Sequence, residues 1–139
     1  MKLYLDSMLW VYSFEGHPNF GPTSRAFAAR MRADQHEFLS SHLILAEVLV
    51  LPRRNNDLFT ATRYRRFFQS RAVRIVPLSA DAAERFADIR ASTRVKPADA
   101  LHLALAASAG ADYFVTYDTK LHSVSVPGIA KICPPDAVP

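Results

Sequence analysis

Four acidic residues fall where chemistry is done rather than where solvation needs them: Asp6, Glu47, Asp99 and Asp118. Glu47 is the only charge in the nine residues from Leu43 to Leu51. A carboxylate on a helix that is apolar nearly all round is costly to bury, so it is paired, protonated or cation-bound unless it sits at an open edge. Asp6 directly follows one strand-like run, Asp118 comes two residues after another, and Asp99 lies in the first turn of a helix opened by Pro97. Each has a plainer use as well: Asp6 as a helix cap, Asp99 as a complement to the helix dipole, Asp118 as the cap of the turn at 118–121, Glu47 as the partner of an arginine. Gathered together without a built-in lysine, the four repel one another, so their pKa values rise or a cation neutralises them. All-oxygen ligands favour Mg²⁺ or Mn²⁺ over zinc, because the chain has one cysteine and no paired-histidine motif. Such an ion suits phosphoryl chemistry: it orients water, lowers that water's pKa and stabilises charge on a phosphate oxygen.

The elements that must position these acids can be read from apolar runs and their punctuation. Strands are expected at residues 2–5, 37–40, 73–78 and 113–116, with a weaker fifth at 129–133. Helices are expected at 7–14 and 23–33, with the Gly- and Pro-broken stretch 16–22 as a loop between them. Ser41 caps a helix at 42–51 that Pro52 ends, and Asn55 or Asn56 caps another running to about Ser70. Ser79 caps a helix to about Thr93, and Pro97 opens one at 98–109 that Gly110 closes. Strands that alternate with helices and lack hairpin turns imply parallel pairing, right-handed crossovers and a three-layer α/β/α sandwich. In such sheets ligands bind beyond the carboxyl ends of the strands, where Asp6 and Asp118 lie. Residues 1–133 are expected as one domain and 134–139 as a frayed tail.

Composition narrows the setting. The chain has 139 residues, half of them hydrophobic, which suits a single core. A lone cysteine, Cys133, excludes an intramolecular disulfide framework. No secretory segment and no membrane-spanning run is visible, so a cytoplasmic protein is expected. Net charge is +4, and 13 of the 17 basic residues are arginine, which favours planar contact with phosphates. With the four acids set aside, 17 basic residues face 9 acidic ones, a balance of +8. Arg53, Arg54, Arg63 and Arg66, in one arginine-rich stretch, are the candidates for contact with a nucleic-acid backbone; the alternative is that they solubilise the surface or bind an acidic partner protein. Thr116 and Ser7 can orient Asp118 and Asp6, or be ordinary strand-end hydroxyls. His102 reads as a packed structural histidine rather than a ligand. Trp10, Tyr12 and Phe14 read as core or interface residues rather than base-stacking ones.

Four segments together, Leu3-Tyr-Leu-Asp-Ser7, Leu45-Ala-Glu-Val-Leu49, Lys96-Pro-Ala-Asp-Ala-Leu-His-Leu-Ala104 and Gly110-Ala-Asp-Tyr-Phe-Val-Thr-Tyr-Asp118, resemble the PIN-domain nucleases. Within them the chain looks like a VapC-type toxin ribonuclease of a toxin–antitoxin pair, over nearly its whole length. The resemblance places Asp6, Glu47, Asp99 and Asp118 on the family's acidic quartet and Thr116 on its hydroxyl residue. It implies a PIN-like sandwich, a Mg²⁺- or Mn²⁺-dependent endoribonuclease acting on structured RNA of the tRNA or rRNA class, a homodimer and an inhibiting antitoxin. Tyr117 departs from the pattern, standing where the family often has Asn. A haloacid-dehalogenase phosphatase would need a second aspartate where Met8 stands, and a receiver domain would need acids beside Asp6. A PIN-like scaffold that binds RNA or protein without cutting is the non-enzymatic alternative.

Overall fold

Five short strands form one wholly parallel sheet in the computed structural model, which describes residues 1–139. The strands are β1 (Lys2–Leu5), β2 (Glu37–Ser40), β3 (Arg74–Ile75), β4 (Tyr113–Val115) and β5 (Lys131–Cys133), in the order β3-β2-β1-β4-β5. Six helices accompany them: α1 (Ser7–Glu15), α2 (Gly21–Ala33), α3 (His42–Arg54), α4 (Leu58–Gln69), α5 (Ala80–Ser92) and α6 (Pro97–Ser108). This is the α/β/α sandwich expected from the alternation of elements. The chain winds outward from β1 to β3, then returns to the other flank of β1 for β4 and β5. The order therefore reverses between β1 and β4, and a crevice opens beyond their carboxyl ends.

Register carries the first acid to that crevice. Leu5 pairs with Val115, and the Asp6 N–H donates to the Val115 carbonyl at 3.0 Å. Leu3, Tyr4 and Leu5 are all buried, as a central strand covered on both faces requires. Trp10 then fixes α1: its ring packs edge-on against Phe38 of β2 and Phe68 of α4. Helix α6 is apolar nearly all round, and residues 102–107 are buried. Gly110, at φ +67°, closes it in the left-handed conformation.

Several boundaries differ from expectation, each for a local reason. Helix α3 runs past Pro52 to Arg54. The proline forfeits only one amide bond near the helix end, and it is buried. Neither Asn55 nor Asn56 caps α4. Asn56 adopts a left-handed φ of +50°, and Asp57 accepts from the Thr60 N–H instead at 3.0 Å. Strand β3 keeps only two residues; Val76 still donates to the Ser40 carbonyl, but Pro77 has no N–H and ends the ladder. Strand β5 starts at Lys131, because Ile129 donates into a turn to Val126. Helix α2 begins at Gly21, since Pro22 suits a first turn. Residues 134–139, expected as a frayed tail, are docked in the structure. Pro135 and Val138 are buried, and the Arg30 guanidinium donates to the carbonyls of Val138 at 3.2 Å and Pro139 at 3.0 Å.

Candidate active site

The four acids named from sequence line one cleft of about 450 Å³, together with Ser7, Met8, Tyr12, Phe20, His102, Thr116 and Tyr117. No lysine or arginine is among these residues. Three of the acids arrive at helix or turn starts and Glu47 from the middle of α3.

Asp6 caps α1, accepting from the Ser7 N–H at 2.7 Å through one oxygen and from the Thr116 hydroxyl at 2.7 Å through the other. The Ser7 hydroxyl lies 3.4 Å from the first oxygen. Thr116 in turn accepts from the Asp118 N–H at 3.0 Å, so one hydroxyl ties the two strand-end acids together. Asp118 caps the turn at Thr119–Leu121, accepting from the Lys120 N–H at 3.0 Å. The plain capping roles of Asp6 and Asp118 and their place in the cleft thus coexist, because a carboxylate oxygen that accepts one backbone N–H keeps a further lone pair.

Glu47 is held by a residue that sequence reading assigned to packing alone. His102 is indeed buried, yet its Nε2 lies 2.8 Å from Glu47 Oε1. Its Nδ1 lies 3.1 Å from the Tyr4 hydroxyl, which lies 2.9 Å from Ser41 Oγ. Ser41 accepts from the Ile44 N–H at 3.3 Å. Burial pushes the Tyr4 phenol far above its ordinary pKa, so it keeps its proton. A single direction satisfies every group: Ile44 donates to Ser41, Ser41 to Tyr4, Tyr4 to His102 Nδ1, and His102 Nε2–H to Glu47. The available signal was spacing, since His102 follows Asp99 by three and shares its helix face.

The crowding of charge registers at Asp99. Burial, then the charges of Asp6 and Asp118, push the Asp99 carboxyl above its usual value; His102 offsets part of this and Glu47 adds to it. Burial also raises Glu47, but the imidazole of His102 and the Ser7 hydroxyl outweigh it, and the net shift is downward. The donor atoms of Asp6, Glu47 and His102 all lie within 4.8 Å of one another. With its Nε2 proton donated to Glu47, His102 offers no lone pair there, and the donors left in this group are the oxygens of Asp6 and Glu47; Asp99 and Asp118 line the same cleft outside it. Carboxylate oxygens in a cleft that no lysine or arginine lines fit a hard divalent cation such as Mg²⁺ or Mn²⁺.

The candidate arginines are placed elsewhere. Arg53 and Arg54 end α3, and Arg53 borders a separate hollow with Asn56, Asp57 and Arg65. Arg63 lies over the Phe14 ring at 5.2 Å and donates to the Phe14 carbonyl. Arg66 is exposed on α4. None of the four lines the acidic cleft. Tyr12, expected only to pack, does line it.

The PIN domain family profile matches residues 3–127. No curated protein sequence matches the chain significantly. Among solved structures, a chain of VapBC2 from Rickettsia felis, bound to a promoter DNA fragment, is 18% identical with a TM-score of 0.66, covering 96% of this chain and 97% of that one. Mycobacterium tuberculosis VapC20, described as a Sarcin-Ricin loop cleaving toxin, is 17% identical with a TM-score of 0.71, covering 91% and 97%. A toxin–antitoxin complex from Klebsiella pneumoniae contributes a chain 22% identical with a TM-score of 0.67, covering 91% and 94%. At these identities the likeness concerns the fold.

Proposed function

The chain belongs to the PIN-domain family, and from that premise we propose that it is the toxin of a toxin–antitoxin pair: a Mg²⁺- or Mn²⁺-dependent endoribonuclease that hydrolyses a phosphodiester bond in structured RNA of the tRNA or rRNA class. The observation that carries this reading is the convergence of Asp6, Glu47, Asp99 and Asp118 on one cleft without a lysine or arginine among its lining residues. The description of VapC20 as a toxin that cleaves the Sarcin-Ricin loop supports the RNA substrate, and the Klebsiella complex supports an antitoxin partner.

A bound divalent ion would supply a water of lowered pKa and neutralise charge on the phosphoryl oxygens. The four carboxylates are the groups that would hold it. The Thr116 hydroxyl and the Ser7 backbone N–H hold Asp6 by donating to its two oxygens, and His102 holds Glu47 from behind. Preset oxygens spare the site reorganisation when a phosphate arrives. A cytoplasmic protein fits this role, and no helix is long and apolar enough to cross a membrane.

The deciding experiment is cleavage of a labelled total-RNA pool with Mg²⁺, Mn²⁺ or EDTA. Discrete cuts that need the metal are expected. Asp6→Asn and Asp99→Asn should each lower the rate by about a hundredfold or more, the scale for losing one element of an electrostatic site. Full cleavage by either variant, or cleavage unaffected by EDTA, contradicts the assigned roles.

A further inference from the structure

The acidic cleft has unlike walls. On one side Tyr12, Phe20 and Tyr117 line it. Tyr12 stacks on Phe20 with ring centroids 5.4 Å apart and an interplanar angle of 16°, and Phe20 meets Tyr117 at 4.6 Å. Tyr117 is anchored by a 2.8 Å hydrogen bond between its hydroxyl and Ser24 Oγ. His17 also meets Phe20, at 5.2 Å, and Phe20 still keeps 39% of its surface exposed. Adjoining the cleft, a second cavity of about 310 Å³ shares Asp99 and Asp118 with it and is lined also by Arg94, Lys96 and Lys120. These three cations take no part in the molecule's ion pairs, which join Arg74 to Glu37, Arg85 to Asp81 and His102 to Glu47. Other arginines are occupied: Arg30 on the carboxyl-terminal carbonyls, Arg63 on Phe14, Arg90 on the Val95 carbonyl.

Resting on the nuclease reading above, we propose that an unpaired RNA strand crosses the acidic cleft, with one base stacked on the Tyr12–Phe20–Tyr117 wall and neighbouring phosphates held by Arg94, Lys96 and Lys120. The scissile phosphate then lies between the walls, over the four carboxylates. Each wall matches one half of a nucleotide. Aromatic rings accept any base through its π-face, and unpaired cations accept backbone phosphates. The requirement for an unpaired strand follows, because a base still stacked in an A-form helix cannot reach a side wall. Tyr117, the departure from the family pattern, belongs to the base-binding wall. The backbone contacts move from the α3–α4 arginines to residues flanking Asp99 and Asp118.

The test uses a short fluorescein-labelled RNA of mixed, non-self-complementary sequence, alone and annealed to its complement. Binding is followed by anisotropy across a salt series, in the Asp6→Asn background, where cleavage is slow against the time of the measurement. Phe20→Ala and Phe20→Leu should weaken binding about tenfold with the salt slope unchanged, and Phe20→Tyr should restore it. The combined Arg94→Gln, Lys96→Gln, Lys120→Gln variant should lower the slope of log Kd against log salt by about 2, the share of three single-strand phosphate contacts. Arg53→Gln, Arg54→Gln and Arg66→Gln together should leave affinity and slope in place, and the duplex should bind more weakly than the single strand. Unchanged affinity for Phe20→Leu, an unchanged slope for the Arg94–Lys96–Lys120 variant, or equal binding of the duplex would overturn the proposal while metal-dependent cleavage by the unsubstituted protein stood. Absence of RNA binding and of cleavage would remove the nuclease reading and this one together.

Discussion

The Asp99 carboxyl is raised in the folded chain by burial and by its acidic neighbours, and that shift has a thermodynamic sign. An acid whose folded pKa lies above its unfolded one destabilises the fold while ionised. The cost is present at neutral pH and disappears as pH falls through the raised value to below the unfolded one. Metal-free Asp99→Asn should therefore melt a few degrees above the unsubstituted protein near neutral pH, the gap closing on acidification. Mg²⁺ should raise the melting temperature of the unsubstituted protein more than that of the variant. Glu47 has the opposite sign: its net lowered pKa stabilises above the unfolded value and is lost as pH falls through the folded one. The support behind Glu47 is testable at Tyr4, whose hydroxyl joins Ser41 to His102. Tyr4→Phe leaves His102 Nδ1 without a donor, at a cost of about 1–3 kcal/mol in stability. Its Mn²⁺ affinity, read by electron paramagnetic resonance, should fall about tenfold, the lower range for a group that orients a ligand. Unchanged affinity in a folded Tyr4→Phe would mean that Glu47 needs no bracing.

At the scale of elements, turns and helix ends decide where the acids point. Gly110 and Gly128 both have positive φ, +67° and +97°, but differ in space. A Cβ at Gly110 would meet nothing nearer than Lys2 Nζ at 3.9 Å, whereas one at Gly128 would meet Arg85 Nη1 at 3.0 Å and the Ala107 carbonyl oxygen at 3.2 Å. Gly110→Ala should cost about 1–2 kcal/mol for backbone strain alone. Gly128→Ala should cost more, since the Ala107 carbonyl on α6 cannot easily yield; urea unfolding of both variants ranks them. The helix starts at Ser41, Ser79 and Pro97 were readable because each rests on local chemistry. The helix through Pro52 and the two-residue β3 were not, because burial of the proline and the neighbouring β2 decide them.

Across the whole molecule, apolar side chains remain uncovered along α3 and α4. Leu58 is 72% exposed, Phe59 74% and Leu51 50%. Exposed apolar groups on two successive helices support the homodimer that the family resemblance implies, since large apolar patches on a surface mark interaction sites. Sedimentation should show a dimer at micromolar concentration and a monomer for Leu58→Asp with Phe59→Asp. A monomer in both would remove the dimer and leave the cleft untouched.

The order of elements, the parallel sheet and the identity of the four acids were legible in the chain alone. They depend on short-range patterns: apolar runs of strand length, capping residues, and carboxylates where no solvation need places them. The partner of Glu47, the wall formed by Phe20 and Tyr117, the position of Lys96 and Lys120 beside Asp99, and the docking of residues 134–139 were decided only in three dimensions. Each depends on contacts between segments far apart in sequence, such as His102 with Glu47 or Arg30 with Pro139. The arginine-rich stretch shows the limit most clearly. Composition registers a surplus of positive charge, but only the packing of α3 and α4 determines which cations face the acids, because a helix distributes neighbouring residues around its whole circumference.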